Sequence, residues 1–145
     1  MKDGDHLTDN FGFYLADGSR LLRRRFDQLA RVHGLSRAQW QAIAHIRRNE
    51  GINQSGLADI LELEPISLCR LIDRMEEGGW VRREPDPNDR RARLLFLTDK
   101  ANAIAGEMRV TADVVYEEAL QGFTPSERSQ LMHFLSRVRN NLSTR

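Results

Sequence analysis

The sequence predicts a mainly α-helical fold carrying one small β-hairpin. Three observations lead there. Apolar residues recur at helical spacing near both ends and through the centre, helix start and stop signals separate these runs, and in one stretch, Val81 to Leu97, the apolar period shifts to two. The chain has 145 residues, 40% of them hydrophobic and 30% charged, which suits one soluble globular domain with a respectable core.

The elements follow in order. From Leu7 to His33, Leu15, Leu22, Phe26 and Leu29 fall at helical intervals, and Gly34 is the stop. Ser36 with Gln39 reads as a capping box, each side chain satisfying a free backbone N–H at the start of a second helix. That helix turns Trp40, Ile43 and Ala44 inward and runs to about Asn49. Asn53 is the N-cap of a short third helix bearing Leu57, Ile60 and Leu61. Glu62-Leu63-Glu64 leaves room only for a tight turn. Pro65 then opens a fourth helix at the position where its missing N–H is harmless, and Gly78-Gly79 ends it. Val81 to Glu84 and Ala92 to Leu97 read as paired strands joined by Asp86-Pro87-Asn88-Asp89. Thr98 starts a long helix with Ile104, Met108, Ala112, Val115 and Ala119 on one face, and Gly122 breaks it. Thr124-Pro125-Ser126-Glu127 is a second capping box, opening a last helix striped by Leu131, Phe134, Leu135, Val138 and Leu142.

Two short helices joined by a tight turn, followed by a hairpin, make a winged helix-turn-helix. In the fourth helix Leu68, Leu71, Ile72 and Met75 form one apolar stripe. Arg70 falls opposite it, with Ile66 and Asp73 close by and Ser67 and Arg74 on one flank. Such a face suits a DNA major groove about 12 Å wide, where arginine pairs bidentately with guanine. For the helix alone, a surface helix with solvated arginines is an equal reading. The hairpin tips the balance, because Arg90 and Arg91 at its tip suit a narrow, electronegative minor groove. Net charge is only +1, yet Arg82, Arg83, Arg90, Arg91 and Arg93 cluster in one stretch and form a local basic footprint. Asp89 fits such a tip if its carboxylate orients an arginine, with Arg91 and Arg74 the candidates.

The run Asp86-Pro87-Asn88-Asp89-Arg90-Arg91-Ala92-Arg93-Leu94-Leu95-Phe96-Leu97-Thr98 closely resembles the wing signature of the MarR family of regulators. Gln54 to Leu61 and Arg70 to Glu76 are similar to that family's helix-turn-helix, and the resemblance covers roughly Leu35 to Ala101. It implies a homodimer that binds a pseudo-palindromic operator in double-stranded DNA, commonly as a repressor released by a small ligand or an oxidant. By the same resemblance Ser67, Arg70 and Arg74 contact the major groove, and Arg91, oriented by Asp89 and flanked by Arg90, contacts the minor groove. Ile66 stands where the family commonly has a small polar residue. Leu94 and Phe96 stand where exposed polar residues are usual, so they either pack on another element or leave the wing greasy.

The expected organisation is a winged helix-turn-helix over 35–98, with 7–34 and 99–142 supplying N- and C-terminal dimerisation helices. Their apolar faces exceed what the central domain covers, so an isologous two-fold interface is expected rather than a monomeric bundle. Phe13, Tyr14, Trp40 and His45 are candidates for the pocket of a small aromatic or phenolic effector, a core role being the stronger reading. Cys69, the lone cysteine, allows a redox-responsive alternative, but a passive thiol fits it better. A protein-binding winged helix without DNA binding is the other alternative. His6, His33, His45 and His133 lack metal-ligand spacing, and neither a glycine-rich phosphate loop nor a nucleophile motif occurs, so no cofactor, no metal and no enzymatic activity are expected. Met1 to His6 lacks the apolar core of a secretory leader, so a cytoplasmic location is expected, and no apolar run approaches a membrane span, so no membrane partner is expected.

Overall fold

The computed structural model describes residues 6–143; Met1 to Asp5, most of the expected leader-free start, lie outside the described residues. The elements are α1 (His6–Ala30), a 3-10 turn (Arg31–His33), α2 (Arg37–Arg48), α3 (Gln54–Leu61), α4 (Pro65–Glu77), β1 (Val81–Asp86), β2 (Asp89–Leu97), α5 (Asp99–Ala119) and α6 (Pro125–Ser143). The fold is mainly α with one antiparallel hairpin, as the sequence predicts. Two compact units divide inside α1 and α5: Arg23–Ala112 is one, and Met1–Leu22 with Asp113–Arg145 is the other.

In the Arg23–Ala112 unit, local sequence signals act where they stand. Ser36 Oγ accepts from the Gln39 N–H at 3.2 Å while Gln39 Oε1 accepts from the Ser36 N–H at 3.0 Å, the complete capping box of α2. Asn53 Oδ1 accepts from Gly56 N–H at 2.7 Å and starts α3. Ala42, Ile43 and Ile46 of α2, Leu57 and Ala58 of α3, and Leu68, Leu71, Ile72 and Met75 of α4 close over Val81, Leu95 and Leu97 of the hairpin and Ala101 and Ala105 of α5. Truncating a wholly buried member such as Ile72 to alanine costs about 2–5 kcal/mol, since transfer and cavity terms add. Trp40 and Ala44 are half-buried rather than central.

The hairpin pairs Val81 with Leu97 and Arg83 with Leu95. Leu95 also exchanges backbone bonds with the segment before α3, from Gly51 N–H to Leu95 O and from Leu95 N–H to Ile52 O, so β2 is held on both sides. That segment resolves the question of Phe96. Its ring lies against Gly51, where an added Cβ would stand 3.5 Å from the ring, and its other neighbour is the Arg82 guanidinium, 5.2 Å from the ring centroid. Leu94 is likewise half-buried and its backbone bridges to Asn53.

In the other unit, Thr124 and Glu127 form the second capping box, with bonds of 3.2 Å in each direction. Arg128 forks onto the Glu117 carboxylate at 2.8 and 3.0 Å and onto Leu120 O, tying α6 to the end of α5. The Arg128 hydrogen bond holds the Glu117 carboxyl below its usual range. Val115 is the buried hydrophobic among this unit's described residues, whereas Phe11, Phe13, Tyr14, Met132, Phe134 and Leu142 are each at least half exposed.

Candidate nucleic-acid interface

Helix α4 is built as a rigid rod with one free face. Pro65 occupies its first turn, and its C-terminus closes with a six-to-one bond from Trp80 N–H to Met75 O (2.8 Å) and a five-to-two bond from Gly79 N–H to Glu76 O (3.0 Å). Gly79 makes this closure possible because its φ of +75° is a left-handed value that side chains resist. Two carbonyls just past the helix are also taken: Thr98 Oγ1 donates to Gly79 O at 2.6 Å, and Lys100 Nζ donates to Gly78 O at 2.8 Å while sitting 4.0 Å over the Trp80 ring. Leu68, Leu71, Ile72 and Met75 bury the inner stripe. Ile66, Ser67, Arg70 and Arg74 lie exposed on the outer face. Among the described residues, neither Arg70 nor Arg74 has a carboxylate partner.

Arg83 has the opposite fate. Its Nε donates to Gln54 Oε1 at 2.8 Å, its Nη2 donates to Cys69 O at 3.2 Å, and its Nη1 pairs with Asp73 Oδ1 at 2.7 Å and Glu76 Oε1 at 3.3 Å. Its own N–H donates to Glu76 Oε2. One guanidinium thus joins the start of α3, the middle of α4 and β1, with only 17% of its side chain exposed. Arg82, besides stacking on Phe96, pairs with Glu84 at 2.9 Å. The basic footprint expected from the sequence is therefore smaller by these two residues, both engaged within the chain. The alternation carried the signal: Arg83 shares a strand face with buried Val81 and so turns toward the helices.

The wing tip is tighter than the four-residue loop expected. Pro87-Asn88 alone connects the strands, and Asn88 N–H donates to Asp86 Oδ1 at 2.8 Å. Asp86 pairs with Asp89 and Pro85 with Arg93, which leaves Arg90, Arg91 and Ala92 without counterparts on β1. This bulge carries the exposed Arg90 and Arg91 out of the ladder. Asp89 Oδ1 accepts the main-chain N–H of Arg91 at 3.0 Å. The carboxylate therefore shapes the bulge backbone, in place of the expected grip on the Arg91 or Arg74 guanidinium. A cleft of about 410 Å³ lies between the wing and the first turn of α3, lined by Asn53, Gln54, Ser55, Asp89, Arg91, Ala92 and Arg93. Arg93 belongs to the basic footprint expected from the sequence, whereas Gln54 and Ser55 carry no expected site role.

The remaining candidates have other surroundings. Cys69 is half-buried with Sγ 3.9 Å from Arg83 Nη2. Trp40 stacks on Phe26 at 4.3 Å between centroids, a packing role. His45 is half-buried, and desolvation, with a smaller contribution from Arg48, lowers its pKa from 6.5. Phe13 and Tyr14, in the other unit, are 66% and 72% exposed and meet edge to face. Among the described residues no group of three or more acidic, histidine or cysteine side chains is placed to hold a metal, and no helix is long and apolar enough to cross a membrane.

Comparison with known proteins accords with this geometry. The MarR family model matches residues 33–92, from the end of the 3-10 turn into the wing. The HTH-type transcriptional regulator YybA of Bacillus subtilis is 28% identical over 126 residues, 84% of each chain. The crystal structure of transcriptional regulator PA3341 superposes with a TM-score of 0.81 at 34% identity, covering 93% of this chain and 99% of that one. A cysteine-to-serine variant of MarR from E. coli, solved in complex with operator DNA, superposes with a TM-score of 0.76 at 25% identity, covering 94% and 99%. These relatives are transcriptional regulators, and the present chain belongs to the MarR family.

Proposed function

We propose that this chain is a sequence-specific DNA-binding repressor that engages a pseudo-palindromic operator as a homodimer and is released by a small ligand. The observation that carries the reading is the pairing, within the Arg23–Ala112 unit, of two exposed arginine sets that lack carboxylate partners. Arg70 and Arg74 with Ser67 lie on the outer face of α4, and Arg90 and Arg91 lie on the wing bulge. Arginines held inside a protein by acids are structural; arginines left free on a rigid helix and a hairpin tip meet anions from outside. The operator complex of the E. coli relative supports DNA as that anion. Ser67, Arg70 and Arg74 read major-groove base edges, Arg90 and Arg91 enter the adjacent minor groove, and Asp89 shapes the backbone that presents them.

The dimer rests on exposed apolar surface. Phe11, Phe13, Leu15, Met132, Phe134, Leu135 and Leu142 are too many large hydrophobics for an exposed monomer surface. A second copy covers them and doubles the DNA contact, since half-sites about one helical turn apart mirror a two-fold protein. Release by a small aromatic or phenolic ligand completes the reading, and a ligand that binds the folded form raises its melting temperature in a screen.

The test selects binding sites from a random duplex pool with the purified chain, then footprints them beside sedimentation equilibrium. The expected result is an inverted repeat with half-sites about one turn apart, bound by two chains. A single-chain mass at micromolar concentration removes the dimer, and a pool that yields no preferred sequence removes the operator.

A further inference from the structure

We infer that Ile66 is a specificity residue of α4 that reads the 5-methyl group of a thymine beside the base pair contacted by Arg70. The inference rests on the operator reading above and names part of the sequence that the operator contains.

Ile66 lies in the first turn of α4 and is 62% exposed, outside the core that gathers Ile43, Ile46 and Ile72. It therefore contributes nothing to that core, and water around its side chain is a standing penalty on the free protein. Its position is specific. Ile66 and Arg70 are four residues apart, hence neighbours on one helix face with Cβ atoms about 5–6 Å apart. The acid that shares this face, Asp73, is drawn onto Arg83 at 2.7 Å and its charge is compensated there. What remains at the N-terminal edge of the face is one branched hydrocarbon, one hydroxyl on Ser67 and one guanidinium without a carboxylate partner.

Only one feature of a major groove is apolar, the thymine methyl. A guanidinium that pairs with the O6 and N7 of guanine brings a side chain four residues away over the next base pair or the one after it, because base pairs stack about 3.4 Å apart. Ile66 then buries its surface on a thymine methyl at that step. Cytosine or adenine there presents an amino group that the hydrocarbon leaves unsatisfied, which adds discrimination against those bases.

Uracil isolates the claim, because deoxyuridine differs from thymidine by the methyl alone. Each thymine of the selected site is replaced singly by deoxyuridine, and affinity is measured by fluorescence anisotropy for the wild-type chain and for Ile66→Ala. Burial of one methyl predicts roughly a fourfold loss at one thymine per half-site and about fifteenfold when both half-sites are changed. Ile66→Ala is expected to bind the thymine and uracil duplexes alike while keeping its preference for guanine at the Arg70 step. Wild-type protein that tolerates uracil at every position overturns the inference and leaves the operator reading intact. The same holds if Ile66→Ala discriminates as well as wild type. Absence of any selected site overturns both.

Discussion

Replacing Arg83 with alanine tests whether a wing arginine braces α4. The substitution removes two bonds to part-buried acceptors, Gln54 Oε1 and Cys69 O, and two ion pairs to Asp73 and Glu76, whose side chains are 53% and 46% exposed. Each of the first pair contributes about 1 kcal/mol net. Each half-exposed ion pair, screened by water, adds about 0.5 kcal/mol. The sum is roughly 3 kcal/mol, and water entering beside the freed acceptors recovers part of it, leaving about 2 kcal/mol. For a chain of this size that corresponds to a melting temperature lower by about 4–8 °C. Urea denaturation at neutral pH, followed by circular dichroism with a melt of the same samples, measures it. A double-mutant cycle with Gln54→Ala should return a coupling of about 1 kcal/mol. A loss below about 0.5 kcal/mol, the usual scatter of surface substitutions, refutes the brace.

Arg91→Ala should weaken binding to specific and random duplexes alike, and the slope of log affinity against log salt should fall by about 1, as for the loss of one backbone charge contact; an unchanged slope places Arg91 off the DNA. The folded state holds the His45 pKa below its ordinary 6.5, so the unfolded chain binds a proton first. The contribution of this residue is complete above pH 6.5 and declines as pH falls below it, so His45→Gln should flatten the loss of stability between pH 7.5 and 5.5 in urea titrations. A parallel pH dependence for wild type and variant counts against burial as the cause.

Short-range physics made most of the fold legible. Ser36 with Gln39, Asn53, Pro65 and Thr124 with Glu127 each act within three residues, so their helix starts stand where the spacing puts them. The wing was less legible, because a bulge is decided by pairing across the hairpin. Residues expected in a loop, Asp86 and Asp89, pair with each other instead. Long-range partnership was the least visible. The alternation with Val81 turns Arg83 inward, but Gln54 precedes it by 29 residues, and nothing near Arg83 in sequence names that partner. The same blindness led Asp89 to be paired with a guanidinium when a main-chain N–H two residues away satisfies it. The free arginines of α4 were legible because the helical period that buries Leu68, Leu71, Ile72 and Met75 leaves Arg70 on the far side.

The central claim is that α4 reads bases. Its most direct measurement is the affinity of wild type and Arg70→Ala for the selected operator and for a random duplex at one salt concentration. A bidentate base contact predicts a loss on the order of 1–3 kcal/mol on the operator with little change on the random duplex. Equal losses on both would show Arg70 to be a phosphate anchor and contradict the account.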